Sequence, residues 1–71
     1  MKKTNKIGRR IAEVRRAAEL TQAALAVKLG VTTMTVSRWE RGVVVPTLAR
    51  LTNIAFACGS PGILAFTKCL T

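Results

Sequence analysis

Residues 21–42 read TQAALAVKLGVTTMTVSRWERG, and this stretch decides the fold. Thr21 suits a helix N-cap, because its hydroxyl can accept a hydrogen bond from a backbone N–H left free in the first turn. Position 24 is Ala, so the reciprocal Glu of a full capping box is missing. Leu25, Ala26 and Leu29 follow at the spacing of one buried helical face. Gly30 comes directly after, where a left-handed residue ends a helix. Val31 reads as a buried turn residue. Thr32 caps a second helix, about Thr33 to Arg41, with Val36 and Trp39 three apart on its inner side. Thr33, Met34, Ser37 and Arg38 fall on the other side, and Gly42 ends the helix.

Upstream, Ile7, Ile11, Val14 and Ala18 are spaced four, three and four, which predicts an amphipathic helix with Arg9, Arg10, Glu13 and Arg16 outside the stripe. Met1 to Lys6 is polar and basic without periodicity and is expected to be a flexible arm. Downstream, Val43-Val44-Val45-Pro46 is a linker, since proline cannot continue a helix. Thr47 caps a fourth helix, with Leu48, Leu51, Ile54, Ala55 and Cys58 expected inward and Gly59 as its terminator. Ser60-Pro61 is a cap followed by a first-turn proline, which predicts a short fifth helix through about Phe66. The expected organisation is an arm (1–6), one all-α domain of five short helices (7–66) and a tail (67–71).

Composition narrows the chemistry. The 71 residues hold 12 Lys+Arg, 3 Asp+Glu and no His, a net charge of +9. The acids are Glu13, Glu19 and Glu40, and the thiols are Cys58 and Cys69. Without histidine the commonest general base and metal ligand is missing. Carboxylate-pair, zinc and Ser-His-Asp chemistry therefore lack parts, and neither an enzyme nor a cofactor is expected. The charge favours a polyanionic partner. Seven of the basic residues lie in the first sixteen positions, so that end carries most of the field. No apolar stretch follows Met1-Lys2-Lys3, and no run approaches the roughly 20 apolar residues of a spanning helix. A cytoplasmic location with reduced thiols is the expectation, Cys58 being buried and Cys69 exposed.

Two short helices meeting at Gly30-Val31, with the small Ala26 where they cross and Val36 and Trp39 pinning the second to the core, are the recipe for a helix-turn-helix. The second helix of such a pair projects into a DNA major groove. The sequence resembles the Cro and phage-repressor type, or XRE-like, helix-turn-helix domains from about Ile7 to Phe66. The matching pieces are Ile7-Gly8-Arg9-Arg10-Ile11 with Arg15, Leu20-Thr21-Gln22, Leu25-Ala26, Leu29-Gly30-Val31, Val36 through Gly42, Pro46-Thr47-Leu48, and Leu51 through Ala55. The resemblance implies a lambda-repressor-like bundle.

It also implies roles. Thr33, Met34, Ser37 and Arg38 would face base edges. A guanidinium at Arg38 suits guanine O6 and N7; the alternative is a phosphate contact or a surface charge. Met34 would cover a thymine methyl, or else fill a gap in the core. Gln22 opens the helix capped by Thr21, the first of the pair, where N–H groups and the helix dipole meet a phosphate; the alternative is a polar residue that merely starts the helix. Thr32, Arg41, Arg9 and Arg10 are further phosphate candidates, and Lys2, Lys3 and Lys6 could follow the backbone as an arm. By resemblance, Arg15 and Glu40 form a structural ion pair. Val43-Val44-Val45 departs from the family's polar loop, and Phe56 from a position usually polar.

The expected function is sequence-specific binding of double-stranded DNA by a transcriptional regulator, a repressor acting as a homodimer on a palindromic operator, with no small-molecule ligand and no membrane. Two other readings stand beside it. One is an antitoxin or other protein-interaction module on the same fold, motivated by Val43–Val45 and Phe56. The other is a cationic membrane-active peptide, opposed by Gly30, Gly42, Gly59 and the buried-looking Trp39.

Overall fold

The computed structural model describes residues 3–59, with side chains from residue 6 onward. These form four helices, α1 (Lys3–Ala17), α2 (Gln22–Leu29), α3 (Thr33–Glu40) and α4 (Leu48–Ala57), and no strand occurs among the described residues. The fifth helix expected through Phe66, the tail 67–71 and Cys69 lie outside the described residues.

Local chemistry sets the helix limits. Thr21, Thr32 and Thr47 each adopt an extended backbone, and their hydroxyls accept from the N–H of Ala24, Thr35 and Arg50. At the end of α2, Gly30 has φ 71°. Its N–H donates to the Val27 carbonyl at 3.2 Å, and the N–H of Val31 donates to Ala26 at 3.0 Å. This pair of bonds satisfies carbonyls the helix leaves open and turns the chain sharply toward α3. The same pair closes α3, from Gly42 to Trp39 and from Val43 to Arg38.

At the end of α1 this geometry is imposed on Glu19, the one described non-glycine residue with positive φ, at 60°. The N–H groups of Glu19 and Leu20 donate to Arg16 and Arg15 at 2.9 and 3.1 Å. A side chain in the left-handed region costs about 1–2 kcal/mol that glycine avoids. Glu19→Gly is therefore expected to stabilise the protein by about 1 kcal/mol. Thermal denaturation followed by circular dichroism checks this, and a lowered midpoint would contradict the strain assigned to Glu19.

The core is one cluster: Ile11 and Val14 from α1, Leu25 and Ala26 from α2, Val36 and Trp39 from α3, and Leu51, Ile54 and Ala55 from α4. Ile7, Leu20, Leu29, Val31, Ala57 and Cys58 pack around it, partly exposed. α2 packs on both α3 and α4, and α1 packs on α3. Gly8 makes that last contact possible. A Cβ there would lie 2.5 Å from the Glu40 carbonyl oxygen and 2.6 Å from that of Trp39.

Several expectations need correction. Residues 3–6 are the first turn of α1 rather than an irregular arm. Lysine is a good helix former, no proline lies between Lys3 and the anchored Ile11, and the low propensity of Gly8 is overridden by its packing against α3. Ala18 lies in the turn after α1, not on its stripe. Leu48 is 63 % exposed rather than inward. As the first residue of α4 it sits ahead of the packed turns, and Pro46 is buried near that end instead. Val31 and Cys58 are half-buried rather than fully enclosed.

Candidate nucleic-acid interface

The site begins with a fixed scaffold. Arg15, on the last turn of α1, donates from Nε to Glu40 Oε2 at 2.6 Å and from a terminal nitrogen to Oε1 at 3.0 Å. Its other terminal nitrogen donates to the Leu20 carbonyl at 2.9 Å. Gln22 Nε2 donates to Glu40 Oε1 at 3.1 Å. Both charged side chains are almost wholly enclosed, yet every buried side-chain polar atom among the described residues has a partner. One guanidinium thus binds the last residue of α3 and the backbone just ahead of α2.

The electrostatics agree. The hydrogen bond to Glu40 raises the Arg15 pKa above its ordinary value, against the cost of burial. Burial pushes Glu40 upward, but hydrogen bonds from Arg15 and Gln22, with the charges of Arg15 and Arg16, outweigh it and hold the carboxyl below its usual range. Glu40 is therefore ionised at neutral pH and already coordinated from inside. It is a structural anion, with no proton to offer for chemistry.

On this scaffold sits an open groove between α1, the start of α2 and the end of α3, lined by Arg9, Arg16, Gln22, Glu40 and Arg41, with Ala12 and Glu13. Glu40 is bonded to Arg15 and Glu13 to Arg10, so no carboxylate among the described residues pairs with Arg9, Arg16 or Arg41. Three guanidinium groups without an ion-pair partner around a helix N-terminus outnumber the two carboxylates of the groove and make a surface suited to anions. Arg16 was not among the sequence candidates. It reads there as one more surface charge beside Arg15, and only the packing of α1 on α3 brings it to the groove. Arg10 does not line the groove; it pairs with Glu13 one turn away at 3.1 Å.

The other candidates lie on α3. Its inner side buries Val36 and Trp39. Thr33, Met34 and Arg38 are exposed, Met34 at 57 %. Thr32 is occupied as the cap, and its hydroxyl also bonds that of Thr35 at 2.9 Å. Ser37 is half-buried, and its hydroxyl accepts from Arg41 Nε at 3.2 Å. Beyond α3, Val43, Val44, Val45 and Leu48 form an exposed apolar stretch, and Phe56 is exposed on α4. Among the described residues no group of three or more His, Cys, Asp or Glu could hold a metal ion, and no helix is long and apolar enough to cross a membrane.

Comparison with known proteins places this arrangement. The sequence model of the family described as "Helix-turn-helix domain" matches residues 6–65. Among solved structures, the chain is similar to an HTH_3 family transcriptional regulator from Vibrio cholerae, with a TM-score of 0.78 and 26 % sequence identity. That match covers 92 % of this chain but only 36 % of the other, so the present chain spans about a third of that protein's length. No curated protein matches the chain. With the family model spanning most of its length and the α2–turn–α3 geometry in place, the chain belongs to the helix-turn-helix domain family.

Proposed function

We propose that the protein is a sequence-specific double-stranded DNA-binding transcriptional regulator, acting as a repressor from a palindromic operator. The observation that carries this reading is the division of α3. Val36 and Trp39 fix one side in the core, while Met34 and Arg38 are exposed on the other, and the end of α3 borders a groove whose three arginines pair with no carboxylate. A helix held in this way can enter a major groove while the flanking cations take the phosphates. The similarity to a transcriptional regulator and the +9 charge support the same reading.

A symmetric dimer would set two such helices about 34–36 Å apart, one helical turn of DNA. The exposed Val43–Val45 and Leu48, immediately after α3, are the self-contact this reading assigns. The exposed valines and Phe56 also favour a second reading, a protein-interaction module such as an antitoxin on the same fold. A stable complex with an unrelated protein, with no DNA shift at moderate salt, would favour the second.

Fluorescence anisotropy with duplex DNA at graded salt tests the first. Affinity should fall linearly on a log–log plot, with a slope of about −0.9 for each phosphate neutralised. Arg16→Ala should make that slope shallower by about one, equally on specific and random duplexes. A flat response to salt would remove the electrostatic basis of the proposal.

A further inference from the structure

The brace of Arg15 and Glu40 has a third member, and the bonds among the three close a ring. Arg15 donates to both oxygens of Glu40 and to the Leu20 carbonyl. Two residues after Leu20, Gln22 Nε2 donates to Glu40 Oε1. The circuit runs from Arg15 to the segment entering α2, along the backbone to Gln22, across to Glu40 and back to Arg15. Glu40 is the last residue of α3, so the end of that helix is held from α1 and from α2 at once.

The two holds restrain different motions. Paired N–H bonds from one guanidinium fix the distance to a carboxylate and keep the two groups in register. Such a pair can still swing as a unit, because arginine reaches it over a long side chain with several rotatable bonds. Gln22 comes from a different helix, the first turn of which is pinned where the Thr21 hydroxyl accepts from the Ala24 N–H at 3.0 Å. A donor from this second direction removes the swing. Gln22 is half-buried, and its bond is one of those that keep Glu40 ionised. The start of α3 is set separately, by the turn at Gly30 and Val31 and by the Thr32 cap. The ring therefore governs the other end, where Arg38 and then Arg41 project.

We propose that Gln22 is a positioning residue, which sets the angle of α3 through Glu40 and so governs how well specific duplexes are told from random ones. This rests on the DNA-binding reading above and adds to it a residue that acts without touching DNA. The competing role is direct contact, since the amide carries a second hydrogen beyond the one given to Glu40, and a phosphate oxygen could accept it.

The test first selects duplexes from a random pool with the purified chain. Affinities for an enriched and a random duplex are then compared in wild type and in Gln22→Met, which keeps the length of the side chain and removes the amide, and both proteins are melted. Gln22→Met should lower the ratio of specific to random affinity, by up to the roughly tenfold value of one hydrogen bond to a charged group. A phosphate contact would weaken both duplexes alike and leave the ratio unchanged. A residue that only supports the fold would lower the melting temperature and also leave the ratio unchanged. Either result overturns the proposal. A second arm removes the carboxylate: in Arg15→Met/Glu40→Leu, which exchanges the ion pair for apolar atoms, Gln22→Met should lower the ratio no further. A drop there as large as in wild type would overturn the proposal, because Gln22 would be acting without Glu40. If that double variant does not fold, duplexes with single phosphates replaced by methylphosphonate decide instead. No one replacement should abolish the effect of Gln22→Met, and one that did would mark direct contact and overturn the proposal. Failure to enrich any duplex, together with affinity indifferent to salt, would sink the parent reading.

Discussion

Arg15→Ala is expected to lower the thermal midpoint by on the order of 20 °C. Arg15 and Glu40 are enclosed and bonded at both carboxylate oxygens, and Arg15 also holds the Leu20 carbonyl. Removing one member of such a pair strands the other charge, a loss of about 3–5 kcal/mol. A domain of this length is stabilised by roughly 4–10 kcal/mol in all, so about half its margin goes. Circular dichroism melts give the measurement. The double variant Arg15→Met/Glu40→Leu should recover much of the loss, because it removes both charges and fills the space with apolar atoms. If Arg15→Ala melted within a few degrees of wild type, the pair would be an ornament rather than a brace.

The same pair fixes a response to acid. The Glu40 carboxyl is held below its ordinary value in the folded protein. Its contribution is therefore fully present above the unfolded-state value of about 4.3, and it is lost as pH falls through the lower folded value. Wild type should lose stability in that acidic window, and the dependence should flatten in Arg15→Ala.

Gly8→Ala is the second large effect. In an ordinary helix interior this change would gain about 1 kcal/mol of helix propensity. Here the new methyl would meet two backbone carbonyls, at 2.5 and 2.6 Å, which cannot rotate away. Separating α1 from α3 costs about 1–3 kcal/mol or more in overpacking, and it also disturbs the Arg15–Glu40 bond between the same two helices. A net loss of about 2 kcal/mol, or a midpoint drop on the order of 10 °C, is expected. Gly30→Ala is the informative control, because a Cβ there meets nothing within 4 Å and only the positive φ is strained. An equal or larger loss at Gly30 would mean that backbone strain, not the close crossing of α1 over α3, is the dominant constraint.

What was legible in the sequence was what neighbours decide. Thr21, Thr32 and Thr47 announce helix starts because the N–H each one binds is only three residues away. Gly30 and Gly42 announce helix ends because left-handed geometry is a property of one residue. The inner side of α3 followed from the spacing of Val36 and Trp39. The groove did not follow, because it is assembled from Arg9 and Arg16 on α1, Gln22 on α2 and Arg41 beyond α3, and no local pattern reports which arginines converge. Arg10 and Arg16 look equivalent in the sequence, yet one is paired with Glu13 and the other reaches the groove. Gly8 was legible only as one residue of the stretch that carries the resemblance, since its reason for being small lies some thirty residues away, at Trp39 and Glu40.

The short-range bonds at the helix ends also bear on how the chain reaches this state. Three of the four helices are started by a hydroxyl three residues away, and the ends of α1, α2 and α3 are each closed by a pair of N–H donors reaching back three and five residues. Such reversals can form before distant segments meet, so little loop-closure entropy stands in the way. Helical folds built from local contacts assemble on the order of microseconds to milliseconds. A nascent chain of this design has a correspondingly brief interval in which its apolar residues are open to aggregation.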